Sequence, residues 1–259
     1  MFSDYEVQFL TMLGHEFKTP LAIICGTAQS ILRINEPDMV DCEGICTHIS
    51  SILENARKLT RLSNSLMTLA YHDHSNNKLQ WTNVDLEEFL GRIVQGLQQG
   101  MDTVMDIDVV SNDESAIVTG SEIELEHVFL NLLINAIQYN IRRPKITITI
   151  SNTEDSVKVA IKDNGIGMSP DVLEKVFEPF KRGERSSELN KVGSGLGLFL
   201  VKNLIEQHNG DITVKSVPKC GSTFTIKLPK MQENTKLTFN EVSFDERSFN
   251  EVLKLYLPT

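Results

Sequence analysis

The chain has 259 residues, 41% of them apolar and 23% charged, which suits one large domain or two ordinary ones and excludes disorder throughout. A formal charge of −10 and a pI near 5.1 argue against a nucleic-acid partner. Both parts of the chain are acidic: six Lys/Arg stand against nine Asp/Glu before residue 81, and nineteen against twenty-six after it.

The long uncharged stretch Thr19 to Leu32 contains Gly26, Thr27, Gln29 and Ser30. It falls short of the roughly 20 apolar residues of a bilayer span, and no basic start leads into an apolar signal segment, so a cytoplasmic chain is expected. Four cysteines make no disulfide framework. Cys42-x3-Cys46 with His48 nearby is a faint metal signal, short of the roughly four ligands of a zinc site, and core or surface thiols are the better reading.

Val7, Leu10, Gly14, Phe17, Leu21, Ile24, Ala28 and Ile31 step by three and four, which predicts a helix with one buried seam. Asn35-Glu36-Pro37-Asp38 breaks that pattern. A second helical run follows with Ile45, Ile49, Ile52, Ala56, Leu59, Ser63, Leu66 and Ala70. Two long helices with a short connection form a hairpin, and two helices alone enclose little core. Pairing with a second copy into a four-helix bundle is the expected solution, the alternative being a hairpin packed on its own downstream domain.

Residues 1–72 are therefore read as a helical hairpin and 73–80 as a linker, since His72 to Lys78 is polar and aperiodic. His72-x-His74 reads as a solvated pair rather than a metal site.

Residues 81–230 mix strands and helices. Val84 to Leu97 is expected to be helical, Asp106 to Val110 extended, and Glu122 to Tyr139 helical with Val128, Leu132, Leu133 and Ala136 on one face. Lys145 to Ser151 and Ser156 to Lys162 alternate with period two around a turn at Asn152 to Asp155. A helix from Leu196 to His208 and a hairpin of Asp211 to Ser216 with Ser222 to Leu228 complete the domain. Interleaved elements with tight turns between neighbouring strands predict an α+β sandwich on an antiparallel-rich sheet. Residues 231–259 form a C-terminal extension without a motif, in which Phe249, Val252, Leu253 and Tyr256 could share a helix face.

Four segments carry chemistry. In Gly14-His15-Glu16-Phe17-Lys18-Thr19-Pro20, His15 lies one step off the apolar seam and points to solvent, and Thr19 stands one helical turn on. Neutral imidazole beside a carboxylate is a nucleophile with its base, and Pro20 should bend the helix just after it. Asn131 and Asn135, one turn apart, suit hydrated Mg²⁺ and phosphate oxygens.

Asp163-Asn164-Gly165-Ile166-Gly167-Met168 leaves a strand with a carboxylate able to accept from an adenine amine and glycines that let a flat ring approach. Gly193-Ser194-Gly195-Leu196-Gly197 opens a helix and offers free amides to an anion. It departs from the dinucleotide-binding pattern because the polar segment before it is no strand. Phe177-Glu178-Pro179-Phe180 with the polar stretch to Lys191 reads as a hinged lid whose Lys181, Arg182 and Arg185 could reach phosphates.

Each signal is weak alone, but in this order they resemble the sensor histidine kinases of two-component signalling. GHEFKTP resembles their H box, NLLINAIQYN the N box, DNGIGM the first glycine box, FEPF the F box and GSGLGL the second glycine box. The resemblance covers about residues 5–229 and implies a dimerising phosphoacceptor hairpin followed by an ATP-binding sandwich of the histidine-kinase/gyrase type.

It also implies residue roles. His15 would be phosphorylated, Glu16 would activate it, and Thr19 would position water when a partner is dephosphorylated. Asn135 would hold Mg²⁺, Asn131 and Tyr139 would line the ATP site, and Asp163 would read the adenine. Gly165, Gly167, Arg182, Gly193, Gly195, Leu196 and Gly197 would complete the nucleotide site. The partners implied are a response-regulator receiver domain, a second copy and an upstream sensor domain or protein; the chain could then be the cytoplasmic part of a membrane-anchored kinase.

Gln138 stands where members often carry Lys, which removes a positive charge near the phosphates. That favours the alternative of a scaffold or phosphorelay bundle that binds nucleotide weakly, whereas the intact Asp163 and glycines oppose it. Other ATPases of the same nucleotide fold lack the phosphoacceptor hairpin.

Overall fold

The computed structural model describes residues 4–32, 42–74, 81–101, 104–111, 116–140, 142–181 and 195–230. The chain divides into two units, a helical hairpin and an α/β unit.

The hairpin consists of α1 (Asp4–Leu32) and α2 (Cys42–His74). The expected break at residues 35–38 lies outside the described residues, and α2 runs two residues beyond the linker boundary expected at 72. The interior differs from the expected seam. Leu13, Pro20 and Leu62 are buried, whereas Val7, Leu10 and Leu21 of the seam are each more than half exposed and Ile49 nearly so. The reason is geometric: a pair of helices covers only the stripe where they face one another, and the flank of the apolar face stays open. Pro20 lies within α1, which continues to Leu32.

The first elements described in the α/β unit are β1 (Thr82–Asp85) and α3 (Leu86–Gly100). The helix expected from Val84 thus starts two residues later. Asp85 ends the strand and caps the helix, its carboxylate accepting from the amides of Glu87 at 3.0 Å and Glu88 at 3.4 Å. There follow β2 (Asp106–Ser111), β3 (Ile117–Gly120), α4 (Glu122–Gln138), β4 (Lys145–Asn152), β5 (Ser156–Asp163) and α5 (Pro170–Glu174). The unit closes with α6 (Gly197–Gln207), β6 (Asp211–Val217) and β7 (Gly221–Pro229). The C-terminal extension and most of the expected lid lie outside the described residues.

The main sheet has the order β2-β4-β5-β7-β6, with β2 parallel to β4 and every other pair antiparallel; β1 and β3 form a separate antiparallel pair. Alternation places Ile150, Val159, Ile226 and Ile212 in one row across four strands, all buried. Against the sheet lie α3, α4 and α6, and α4 packs on α6. The helix α4 is covered nearly all round: Val128, Leu132, Leu133 and Ala136 are buried on one face, and Phe129 meets Phe89 of α3 edge to face at 6.1 Å. Burial of this kind holds the backbone of α4 in a fixed position. Among the described residues no helix is long and apolar enough to cross a membrane.

Candidate functional site

On the hairpin, His15 is exposed on α1, as its offset from the apolar seam requires. Glu16 is half-buried, its carboxylate 3.9 Å from Lys58 Nζ on α2. Lys58 is a neighbour of Glu16 that no local pattern reveals, because it reaches Glu16 only through the packing of the two helices. Thr19 is exposed, and its hydroxyl donates to the His15 carbonyl at 3.1 Å. His15, Glu16 and Thr19 thus form one cluster on one helix.

In the α/β unit the site forms where β5 ends. Asp163 is buried, and its Oδ1 accepts from the Gly165 amide at 2.7 Å and the Ser222 amide at 3.1 Å. Burial pushes this carboxyl above its ordinary range, and the two amides oppose that rise by bonding the charged form. With both bonds on Oδ1, the carboxylate is fixed in orientation.

Beyond it, Gly167 has φ +63°, and a Cβ there would come within 2.0 Å of the Val217 carbonyl oxygen; only glycine fits this backbone against β6. The Ile166 amide donates to the Tyr139 carbonyl at 3.0 Å, which ties the first glycine segment to the end of α4. Asn164 Oδ1 accepts from the Lys145 amide at 2.8 Å and from Asn140, so the loop is anchored on the opposite side as well.

Asn131 and Asn135 lie one turn apart on α4. The Asn131 amide nitrogen donates to the His127 carbonyl at 2.8 Å, which leaves its carbonyl oxygen directed at α6. There Gly197 meets it: a Cβ at Gly197 would stand 2.8 Å from Asn131 Oδ1. Amide oxygens on this face are of the kind that could serve a hydrated Mg²⁺, which takes oxygen ligands. Tyr139 follows the last residue of α4 as its C-cap, and Gln138 is that last residue.

Gly195 accepts from the Phe180 amide at 2.9 Å, and Leu196 is the buried N-cap of α6. Arg182, Arg185 and Gly193 lie outside the described residues; Lys181 is exposed, 3.7 Å from Glu178. The structure thus brings Asn131, Tyr139, Asp163, Gly165, Gly167 and Gly197 together around α4 and the end of β5.

Ser222 and Ser216 belong to this site and escape sequence reasoning. Ser222 lies 59 residues from Asp163, and Ser216 accepts from the Met168 amide at 2.8 Å across the sheet. Elsewhere Cys25, Cys46 and Cys220 are exposed thiols, and among the described residues no three His, Cys, Asp or Glu form a metal-holding group.

Residues 5–75 match the His Kinase A (phospho-acceptor) domain family, and residues 120–232 match the histidine kinase-, DNA gyrase B- and HSP90-like ATPase family. The chain is 29% identical over 225 residues to the sensor histidine kinase RppB of Synechocystis, covering 86% of this chain and 49% of that protein. It is 30% identical over 226 residues to the sensor-like histidine kinase SenX3 of Mycobacterium tuberculosis, covering 87% of this chain and 54% of SenX3. The chain spans about half the length of these curated relatives.

By fold it resembles the Acinetobacter baumannii histidine kinase AdeS, with a TM-score of 0.65 and 24% identity over 84% of this chain and 98% of that one. It also resembles the histidine kinase ThkA, solved in complex with the response regulator TrrA, with a TM-score of 0.64 and 21% identity over 88% of this chain and 63% of ThkA.

Proposed function

The chain belongs to the sensor histidine kinases of two-component systems, and on that premise we propose that it is an ATP-dependent protein-histidine kinase whose phosphoacceptor is His15. The observation that carries this function is the presence on one chain of an exposed His15 beside the carboxylate of Glu16, and of a nucleotide-type site around Asp163. Residues 1–72 act as the phosphoacceptor hairpin, 73–80 as linker, 81–230 as the catalytic unit and 231–259 as an extension.

ATP is the phosphoryl donor. Asp163 accepts the adenine amine, a selection its fixed Oδ1 makes possible by turning the other carboxylate oxygen outward. Asn135 would hold Mg²⁺, which would supply charge neutralisation on the phosphates, and Asn131 would line the ATP site. Tyr139, Gly165, Gly167, Arg182, Gly193, Gly195, Leu196 and Gly197 complete the nucleotide site. A ring nitrogen of His15 attacks the γ-phosphorus, the bond to the β–γ bridging oxygen breaks, and ADP leaves with that electron pair. Glu16 takes the imidazole proton, and Lys58, 3.9 Å away, aligns its carboxylate for that step.

The phosphoryl group then passes to an aspartate of a response-regulator receiver domain; the complex of ThkA with TrrA supports such a partner. The exposed Val7, Leu10, Leu21, Ile49 and Leu53 support a homodimer, since a second hairpin would cover them. The relatives' names support a sensor as the source of the stimulus, and the use of ATP supports a cytoplasmic site of reaction.

Incubation with γ-labelled ATP and Mg²⁺ tests the assignment. An acid-labile, base-stable label that His15→Gln abolishes is expected; hydrolysis of ATP without labelling of the protein would overturn it.

A further inference from the structure

His208 lies outside every motif, yet it joins the ends of the two helices that carry the nucleotide site. It is the C-cap of α6 and only 2% exposed. Its Nδ1 is 2.7 Å from the Leu204 carbonyl in the last turn of α6, so Nδ1 carries the donated proton. Nε2 then offers its lone pair to the Ser121 amide at 3.1 Å.

Ser121 is the N-cap of α4, is 3% exposed and makes no side-chain capping bond. Its amide is a buried donor that His208 satisfies. Glu124 Oε2, also buried, lies 3.8 Å from Nε2. Gly120 leaves room for the ring, since a Cβ there would come within 2.6 Å of His208 Cδ2.

The face of the ring is taken by Trp81, stacked at 5.1 Å between centroids with 9° between planes. Trp81 immediately precedes β1. At the other end of the same helix pair, α4 and α6 meet where Asn131 faces Gly197. A hydrogen bond from the end of α6 to the start of α4 therefore fixes how far one helix slides along the other, and with it the gap between Asn131 and Gly197.

Resting on the ATP-binding function proposed above, we infer that His208 is a positioning residue that holds α4 and α6 in register for nucleotide, and that Trp81, stacked on its ring, reports that register. Filling the site tightens the stack.

The sequence contains one tryptophan, so emission from the intact chain reports this stack alone. Titration with the non-hydrolysable analogue AMPPNP and Mg²⁺ should change Trp81 emission along the same isotherm that calorimetry records. His208→Phe keeps an aromatic ring against Trp81 but removes both ring hydrogen bonds. It should bind the analogue about tenfold more weakly, the size expected of an unsatisfied buried amide, and its emission should no longer follow binding. His208→Gln, whose amide oxygen can accept from Ser121, should recover part of the affinity, which a merely space-filling role for the ring would not produce.

A Trp81 signal that stays silent at calorimetric saturation, or wild-type affinity in folded His208→Phe, overturns the inference and leaves ATP binding standing. Absence of calorimetric binding to the unaltered chain overturns ATP binding itself, and the positioning role of His208 with it. Should His208→Phe not fold, the titration of the unaltered chain decides alone.

Discussion

Gly197 stands so close to Asn131 that a Cβ on it would lie 2.8 Å from the asparagine Oδ1. Gly197 is the first residue of α6, where alanine would favour the helix by up to about 1 kcal/mol. The atom it would strike is the tip of a side chain, which can swing away at little cost to the fold. Gly197→Ala should therefore leave thermal stability equal to the parent's or higher while weakening Mg·ATP binding about tenfold, because the displaced amide no longer points its oxygen into the site. Calorimetry and a melting curve on the same sample separate the two effects; unchanged affinity would remove Asn131 from the site.

Asp163 offers a cleaner change of specificity. In Asp163→Asn the Oδ1 oxygen can still accept the Gly165 and Ser222 amides, so the loop keeps its shape. The other arm becomes an NH₂ that meets the adenine amine donor to donor. ATP affinity should fall by roughly 1.5–3 kcal/mol, the worth of a hydrogen bond to a charged group. GTP, which presents a carbonyl at the corresponding ring position, should lose less. Competition of GTP against ATP for the variant measures the narrowing; an unchanged ratio would mean that Asp163 does not read the base.

The local signals at these positions were legible in the sequence because glycine, a strand-end carboxylate and an Asn pair each act over a few residues. Their supports were not. Ser222 reaches Asp163, and His208 reaches Ser121, only through the packing of distant elements. The same limit governs the fold. The helix α4 and the hairpin of β4 and β5 announce themselves by periods of 3.6 and 2. By contrast β1 and β3, four residues each, are too short to alternate, and Val84 merges into the apolar run of α3. On the hairpin, periodicity marks an apolar face without saying which residues meet the partner helix; Leu13 and Leu62 do so in place of Val7 and Leu10.

Glu126 gives the α/β unit a pH dependence of known sign. Burial pushes its carboxyl up to about 7, the neighbouring Glu122 adds to the rise, and Arg92 of α3 opposes it while pairing with Glu122. The folded chain thus holds a proton on Glu126 more tightly than the unfolded chain, where the value is 4.5. Its contribution is fully present below the unfolded value and is lost as pH rises towards 7. Glu126→Gln, neutral throughout, should flatten that decline and be more stable than the parent at pH ~8 by about 1–2 kcal/mol, a figure reduced for the group's partial exposure. Urea unfolding of both proteins at pH ~5 and ~8 reads the difference; parallel behaviour would mean that Glu126 ionises normally.

Thr19 separates two reactions at one histidine. Its hydroxyl donates to the His15 carbonyl at 3.1 Å and is exposed, so it adds little to α1, where alanine is the better helix former. Proton removal from His15 belongs to Glu16, and nothing in that step calls on a hydroxyl. Hydrolysis of the phosphorylated regulator does, because a water must be oriented towards phosphorus. Thr19→Ala should keep autophosphorylation within about twofold and slow regulator dephosphorylation by tenfold or more, the range that loss of orientation of a reacting group can reach. Single-turnover labelling of His15 and decay of the phosphorylated receiver domain, followed with the same preparation, give the two rates. Equal loss of both would assign Thr19 to holding the backbone around His15 rather than to placing water.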